Sequence, residues 1–570
     1  MKKTLKLTCV ISLIVLGSCN QSSKQSNSTN VADAIYFGGD IITMEGDNPV
    51  YAEAVALKDG KIVFVGTKSD AEKIHGDKTI MNDLKGKTLV PGFFEGHIHF
   101  AALGMQAVAA NLLPGPDGNC DNIDDLVQIM KDWHTKNGTD KTKGWIFGMG
   151  FDDAVLKEGR FPTKEDLDKV SKDVPVCVMH ITGHFCSVNS KALELIKMTA
   201  ATKDPDGGVI RRMPNSQEPN GVLEEMAALK VLFPIVTPEP ELVDFYFDKG
   251  QEMAFKFGHT SIQEGKAMEN HEQLASYALS GKLKIDVVSY VDYSMPKYLH
   301  SDWNKKEYNK HYRIGGVKVT LDGSPQGRTA WRTIPYLIPP DGQKAGYLGY
   351  PAIADDKKVE EIYNMAFSNN WQIISHANGD AAIDQMMRCM KPAVAKYGNT
   401  DRRNVLIHGQ YVRINQLDEL KKLDIVASLF PMHTFYWGDW HKQIIGEELG
   451  NKISPIKSAL NKGLHVTSHT DAPVALPNLM MIMWTTVNRV SRSGEVIGKE
   501  ERLTPYEALQ SITIWGAYQH FEDKTKGSLK TGKFGDLVIL DQNPLKVDPM
   551  KIKDIVVLET IKEGKSVYKK

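Results

Sequence analysis

The chain has 570 residues, enough for a large catalytic domain and at least one accessory domain. It carries 69 Lys and Arg against 70 Asp and Glu, and the net charge of -1 provides no basic footprint for nucleic acid or anionic membrane surfaces. We therefore predict that nucleic acid is not a partner.

Residues 1–19 are predicted to be a targeting segment, because Lys2 and Lys3 precede an apolar run too short to span a membrane. The run ends in Leu16-Gly17-Ser18-Cys19, which resembles a bacterial lipobox and implies cleavage before Cys19 and lipid attachment to its thiol. Residues 20–33 are then a flexible polar tether. A plain secretory signal with an incidental cysteine is the alternative. We expect an exported protein that is lipid-anchored in the bacterial cell envelope, in the outer membrane or facing the periplasm.

Four further cysteines show no Cys-x-x-Cys zinc pattern: Cys120, Cys177, Cys186 and Cys389. Although Cys177 and Cys186 are close in sequence, buried thiols are the usual state in a chain of this size. We predict no essential disulfide.

Both ends of the remaining chain, residues 34–88 and 521–570, consist of short apolar runs and tight turns. Asp59-Gly60 lies between two apolar runs, which is a strong hairpin signal. Each end is therefore predicted to be a small β piece. The two pieces are either unrelated flanking hairpins or parts of one domain.

Residues 89–520 contain eight apolar runs that can serve as strands, and the later runs alternate with helical segments such as 359–369 and 381–397. The runs are 89–99, 259–264, 285–291, 315–321, 371–376, 404–408, 425–430 and 464–470. This α/β pattern predicts a (β/α)8 barrel with its functional groups at the C-terminal strand ends. Residues 101–257 are too long for one connection and are predicted to be an inserted lobe.

The first run delivers two histidines to one place, since residues i and i+2 of a strand face the same side and His97 and His99 can therefore grip one cation. Its sequence, Pro91-Gly92-Phe93-Phe94-Glu95-Gly96-His97-Ile98-His99, resembles the first barrel strand of the amidohydrolase superfamily. The nearest resemblance is to amidohydrolase family 3, which includes N-substituted formamide deformylases and D-aminoacylase-like enzymes. It implies that the two β ends pair into one composite β-sandwich beside the barrel.

Lys318 lies inside the apolar fourth run, where desolvation lowers the pKa of a lysine. In the superfamily the lysine of this strand is often carboxylated. The resemblance therefore implies two divalent metal ions, zinc being the expected element, bridged by a carboxylated Lys318. A snorkelling or ion-paired lysine is the alternative.

Three further residues at strand ends match metal ligands of the family: His376, His408 and Asp471. Asp471 falls where the family carries its catalytic aspartate, which binds metal, takes a proton from water and delivers it to the leaving amine. The alternatives are buried core histidines and a helix N-cap. His469 replaces the glycine usual in this branch and is expected to point away from the site.

Substrate contacts are expected from four positions that resemble motifs of this branch: His184 in the inserted lobe, Asp322 and Arg328 after the fourth strand, and His433 after the seventh. We predict a hydrolase that uses metal-activated water to cleave a non-peptide carbon–nitrogen bond, in an amide, formamide or N-acyl compound. A deaminase or cyclic-amide hydrolase on the same barrel is the alternative. A lipid-anchored binding protein on a degenerate scaffold is another.

Overall fold

The computed structural model describes residues 31–183, 185–205, 208–237, 239–340 and 343–570. The predicted signal segment, Cys19 and most of the predicted tether lie outside the described residues, so the lipid anchor stays a prediction. No helix within the described ranges has the length and apolar character needed to cross a membrane. The four predicted thiols are free and buried, in agreement with the sequence.

The described chain contains 22 strands. In chain order they are β1 (Ala34–Ile42), β2 (Tyr51–Lys58), β3 (Lys61–Gly66), β4 (Ile80–Asp83), β5 (Thr88–Pro91), β6 (Phe93–Phe94), β7 (Ala110–Asn111), β8 (Ile146–Phe151), β9 (Val176–His180), β10 (Phe185–Val188), β11 (Gly208–Arg212), β12 (Pro219–Glu225), β13 (His259–Ala267), β14 (Asp286–Asp292), β15 (Tyr312–Thr320), β16 (Gln372–Ala377), β17 (Val405–His408), β18 (Val426–Leu429), β19 (Val466–Ser468), β20 (Leu537–Leu540), β21 (Val557–Lys562) and β22 (Lys565–Lys569).

Helices cover the strands and fill the connections between them. Those of at least eight residues are Phe100–Val108, Ile123–Asn137, Met226–Val236, Val243–Lys256, Asn270–Leu279, Asp356–Ser368, Asp380–Tyr397, Ile414–Lys422, Gly438–Ile445 and Leu479–Asn488. The two helices predicted at 359–369 and 381–397 correspond to Asp356–Ser368 and Asp380–Tyr397.

Strands from both chain ends form one eight-stranded sheet, in the order β22-β21-β20-β5-β1-β2-β3, with β4 beside β1. β20 pairs with β5, and β5 pairs with β1, so the C-terminal piece joins the N-terminal piece edge to edge. We call this the terminal sheet. The hairpin predicted at Asp59-Gly60 joins β2 and β3.

The first predicted barrel strand, residues 89–99, is divided between two sheets. Leu89 and Val90 pair with β1 or β20 in the terminal sheet, whereas Phe93 and Phe94 pair with β13. Gly92 lies at the change of sheet, and a Cβ there would lie 2.2 Å from Thr260 Oγ1. The chain thus passes from one sheet to the other directly before His97.

Eight parallel strands form a curled sheet in the order β6-β13-β14-β15-β16-β17-β18-β19. All eight predicted runs contribute a strand to it. The segments that follow its two edge strands are joined by backbone hydrogen bonds from His99 N to Ala472 O (3.1 Å) and from Asp471 N to His97 O (3.1 Å). Strands such as β14 are buried along their whole length, as expected where both faces of a parallel sheet are covered.

The predicted lobe has a sheet of its own, with six strands in the order β11-β12-β10-β9-β8-β7. Helix Ile123–Asn137 packs an apolar face on it through Leu126 and Met130, which share a buried cluster with Ile146 and Val178. The lobe therefore buries a core that is separate from that of the curled sheet.

Buried charges join the terminal sheet to the curled sheet. Lys562 on β21 lies 2.7 Å from a carboxylate oxygen of Asp286 on β14 and 3.0 Å from one of Asp536. Lys526 contacts the same Asp286 and also Glu522. Burial raises the pKa of Asp286, but the two ammonium groups outweigh it and hold that pKa well below its ordinary range.

Candidate metal centre

Six predicted ligands meet at the C-terminal end of the curled sheet. Ligand atoms of His97, His408 and Asp471 all lie within 4.8 Å of one another. Lys318 Nζ is 3.2 Å from His97 Nε2, and His99 Nε2 is 3.6 Å from Asp471 Oδ1. The rings of His376 and His408 lie 4.6 Å apart between centroids. Imidazole nitrogens and a carboxylate form a donor set that suits a first-row divalent cation.

Gln263 fixes which nitrogen of His97 faces this centre. Its Nε2 donates to Gly96 O (2.7 Å), so its Oε1 is left to accept from His97 Nδ1 (3.0 Å). The lone pair of His97 is therefore on Nε2, on the side of Lys318 and Asp471. This arrangement matches the outer hydrogen bonds that orient histidine ligands in metal sites.

His469 supports His408 in a similar way. His469 Nε2 lies 3.0 Å from His408 Nδ1, and His469 Nδ1 lies 3.0 Å from Ser428 Oγ. The prediction that His469 points away from the site is wrong, because its side chain is fully buried beside His408. Only Nε2 of His408 remains for a ligand contact.

The segment that carries Asp471 is held by Glu95. The Glu95 carboxylate accepts hydrogen bonds from Thr470 N (2.8 Å) and Thr470 Oγ1 (2.9 Å). Asp471 has a φ of 53° and His408 a φ of 75°, a left-handed conformation that is uncommon outside glycine. Such backbone is retained where the surrounding contacts over-determine it, which occurs often at functional sites.

Lys318 has the electrostatic character expected of a reactive amine. Its side chain is 2% exposed, and burial lowers its pKa to about 7 despite the attraction of Asp471. Burial in turn raises the pKa of Asp471 to about 6, opposed by His99 and Lys318. Burial also lowers the pKa of His376 to about 3, so that its imidazole is neutral and able to act as a ligand.

Asp322 has a structural role that the sequence did not reveal. Its carboxylate is buried and accepts backbone hydrogen bonds from Trp331, Asn378 and Gly379 at 3.0, 2.9 and 2.7 Å. These bonds hold the loop after β15 against the end of β16, where His376 lies 3.5 Å from Asp322 Oδ1. That Asp322 contacts substrate stays a prediction, and three backbone hydrogen bonds already use most of the acceptor capacity of its carboxylate.

A cavity of about 410 Å³ separates the lobe from the loops of the curled sheet. Arg328, Trp437 and Trp440 line it from the curled sheet, and Phe161 and Phe185 line it from the lobe. Trp437 Nε1 donates to Asp152 Oδ2 of the lobe (3.1 Å). Arg328 donates to Pro339 O (2.9 Å), and its guanidinium lies 5.0 Å from the Trp440 ring centre.

His433 packs against Trp437, which lines this cavity, and against Phe430, which contacts His469. Its ring lies 4.6 Å from the Trp437 ring and 4.8 Å from the Phe430 ring, and Phe430 contacts His469 at 5.0 Å. On its other side, His433 Nδ1 lies 3.0 Å from His441 Nε2. His184, the remaining predicted substrate contact, lies outside the described residues.

Two other groups of possible metal-binding side chains occur within the described ranges: Asp152, Asp153 and His180, and Asp286, His311 and Glu563. In the first group Asp152 accepts from Ala154 N and Trp437 Nε1, while Asp153 pairs with His180 at 3.0 Å. In the second, two lysines already neutralise Asp286. Neither group lies at the C-terminal end of the curled sheet, where the predicted ligands meet.

Sequence reasoning missed Gln263, His441 and Trp437. Gln263 lay in a predicted strand near its C-terminal end, which is the signal that could have found it. His441 and Trp437 follow His433 within the next helical turns, where no motif marked them.

Comparison with known proteins covers nearly the whole described chain. The sequence model of the amidohydrolase family matches residues 81–568. Protein LONG AFTER FAR-RED 3 of Arabidopsis thaliana is 28% identical over 562 residues, which cover 94% of this chain and 92% of the relative. N-substituted formamide deformylase of Arthrobacter pascens is 24% identical over 568 residues, which cover 95% of this chain and 99% of the relative. The crystal structure of an uncharacterized metal-dependent hydrolase from Pyrococcus horikoshii OT3 aligns with a TM-score of 0.71 at 26% sequence identity, covering 90% of this chain and 99% of that one.

Proposed function

The chain belongs to the amidohydrolase family, and from this premise we propose that it hydrolyses a non-peptide carbon–nitrogen bond of a small amide, formamide or N-acyl compound. The observation that carries the proposal is the meeting of His97, His408 and Asp471 within 4.8 Å at the end of the curled sheet. The similarity to a relative named N-substituted formamide deformylase supports the bond type. We further propose that the curled sheet is a (β/α)8 barrel and the terminal sheet part of a composite β-sandwich.

We propose that the centre holds two zinc ions bridged by a carboxylated Lys318. His97, His99 and Asp471 would hold one ion, and His376 and His408 the other. The neutral amine is the form that adds to carbon dioxide: its nitrogen forms the new N–C bond, and the loss of one proton leaves a carbamate. The lowered pKa of Lys318 favours that form near neutral pH.

The remaining chemistry belongs to the side chains of this chain. The bound cations supply Lewis acidity and lower the pKa of coordinated water. Asp471 accepts a proton from the attacking water and returns it to the nitrogen of the leaving amine, because an amine anion is a poor leaving group. The cavity lined by Trp437 and Phe161, between the lobe and the loops of the curled sheet, is the proposed substrate site.

The decisive experiment combines metal analysis with a substrate panel of formamides, N-acyl amino acids, cyclic amides and aminopurines. Bound zinc together with turnover of an acyclic amide or formamide would support the proposal. Turnover of cyclic amides or aminopurines alone would favour the alternative hypothesis, a deaminase or cyclic-amide hydrolase. A protein with neither transition metal nor turnover would favour the binding-protein reading.

We also propose that residues 1–19 direct export and that Cys19 carries a lipid anchor in the cell envelope, with residues 34–88 and 521–570 flanking a catalytic unit at 89–520. The lipobox-like Leu16-Gly17-Ser18-Cys19 and the polar stretch after it support the anchor. Cys19→Ser should release the protein from the membrane fraction. Full retention of that variant in membranes would refute the anchor.

A further inference from the structure

Tyr411, His441 and His433 form a hydrogen-bonded chain in the segments that follow β17 and β18. Tyr411 Oη lies 2.8 Å from His441 Nδ1, and His441 Nε2 lies 3.0 Å from His433 Nδ1. None of the three is a predicted metal ligand. Their side chains are buried, with exposed fractions of 9%, 0% and 2% in that order.

All three groups are neutral near pH 7. Burial raises the pKa of Tyr411, lowers that of His441 to about 3 and holds that of His433 well below its ordinary value. A neutral imidazole has one donor nitrogen and one acceptor nitrogen. The direction of the hydrogen bonds therefore decides where each proton lies.

The tyrosine sets that direction. Among the described residues, His441 Nδ1 is the one hydrogen-bond partner of the Tyr411 hydroxyl. A buried hydroxyl that lacks an acceptor is costly, so Tyr411 donates to Nδ1 of His441. His441 then carries its proton on Nε2 and donates to Nδ1 of His433, which places the proton of His433 on Nε2.

This Nε2–H has no protein partner within the described ranges, although the ring is buried. The ring is packed between Phe430, which contacts His469, and Trp437, which lines the cavity. Nε2 is not one of the fully buried polar atoms that lack a partner in the described ranges, so it is accessible, and a substrate carbonyl oxygen would accept its hydrogen bond in place of water.

We propose that Tyr411 and His441 are positioning residues that fix the tautomer of His433, so that its Nε2–H donates a hydrogen bond to the carbonyl oxygen of the substrate amide. The inference rests on the proposed hydrolase function. As water adds to the carbonyl carbon, negative charge develops on that oxygen and the hydrogen bond strengthens, which lowers the barrier. His433 is the catalytic residue of the three.

The tautomer can be measured without a substrate. ¹⁵N-histidine NMR spectra are recorded for the metal-loaded protein. The signals of His433 are assigned as those that disappear in the His433→Gln variant. We expect a protonated Nε2 and an unprotonated Nδ1 in the wild type, and a mixture of both tautomers in Tyr411→Phe. A wild-type His433 protonated on Nδ1 would overturn the inference. This NMR measurement needs no turnover. Its result is therefore independent of whether the protein proves to be a hydrolase.

Kinetics on an amide substrate test the consequence. His433→Ala should lower kcat by about 10²–10³-fold, the usual effect of losing one oxyanion donor. His441→Leu should lower kcat roughly fivefold with little change in KM, since one hydrogen bond of about 1 kcal/mol is lost. His441→Gln should recover most of that loss, because its amide N–H can still reach His433.

The matched control is Tyr336→Phe. Tyr336 is also buried, and its hydroxyl donates to Ala330 O (2.9 Å) outside the chain of three residues. It should leave both kcat and the His433 tautomer unchanged. An unaltered kcat in His441→Leu, or an equal loss in Tyr336→Phe, would refute the positioning role. If His441→Leu does not fold, Tyr411→Phe, which removes only a hydroxyl, decides the same question.

Discussion

Gln263 and Gly265 show how closely one ligand of the metal centre is specified by residues that cannot themselves bind metal. Gln263 selects the tautomer of His97 through a bond of 3.0 Å, and a Cβ at Gly265 would lie 2.4 Å from His97 Cε1. The ring of His97 therefore has one orientation and one free nitrogen. Gln263 and Gly265 therefore set the position of the His97 ring beside Lys318 and Asp471, together with the segment that carries His97.

Lys318→Ala should lower the metal content and the activity together, because the proposed bridging ligand to two ions is removed. Small carboxylic acids should restore part of both by occupying the vacated space. Elemental analysis and turnover, measured with and without added acid, provide the check. Lys305→Ala is the matched control, since Lys305 is 56% exposed and pairs with Asp302 at 3.6 Å. If Lys318→Ala retained full metal and full turnover, the bridged centre would be wrong.

Asp471→Asn should behave differently. The amide keeps the size of the side chain and one coordinating oxygen but cannot accept the proton, so most of the metal should remain. Turnover should fall by about 10²–10⁴-fold, the usual contribution of general acid–base catalysis. Metal content and kcat measured on the same sample separate the two effects. Loss of metal in parallel with activity would instead make Asp471 mainly a ligand.

At the scale of elements, the strands were predictable because parallel strands buried on both faces appear as short apolar runs. Since the C-terminal ends of such strands meet at one edge of the sheet, the convergence of His97, Lys318, His376 and His408 could be predicted as well. Their mutual distances could not. The change of sheet at Gly92 was not predicted, although Pro91-Gly92 interrupts the segment from Leu89 to His99 in the sequence.

The orientation of His469 and the backbone hydrogen bonds of Asp322 could not be predicted for a related reason. Each depends on a partner from a distant part of the chain: Ser428 and His408 for the first, Asn378 and Gly379 for the second. A single sequence places a residue on a strand end but does not state which hydrogen bonds its side chain will make there.

The lobe should govern substrate preference through the residues that line the cavity. Phe161 lines it and lies 5.5 Å from Phe185 between ring centres. Phe161→Leu should raise KM roughly fivefold for substrates with an aromatic group, since an aromatic contact is worth about 1 kcal/mol. Kinetics over the substrate panel, with metal content in parallel, test this.

Glu218→Gln is the control for that comparison. Its side chain is 61% exposed and pairs with Lys164 on the lobe surface. It should change neither KM nor metal content. An altered preference in Glu218→Gln but not in Phe161→Leu would mean that the cavity is not the substrate site.

At the scale of the whole molecule, buried charges around Asp286 join the terminal sheet to the curled sheet. Taking charges out of water is costly, and the pairs recover that cost only while every partner is present. Lys562 contacts Asp286 and Asp536 and is 4% exposed. Removing the Lys562 ammonium takes away a positive charge that neutralises the carboxylates of Asp286 and Asp536 at the junction of the two sheets.

Lys562→Met should therefore lower the free energy of unfolding by about 3–5 kcal/mol, as expected when one partner of a buried ion pair is lost. Urea unfolding of the metal-loaded protein, followed by circular dichroism, measures the change. The double variant Lys562→Met/Asp536→Leu should recover part of the loss, because it also removes one of the unpaired carboxylates. Lys565→Met, at an exposed position on β22, should stay within about 0.5 kcal/mol of the wild type. Equal stability of the Lys562 and Lys565 variants would show that the junction is held by apolar packing and not by these charges.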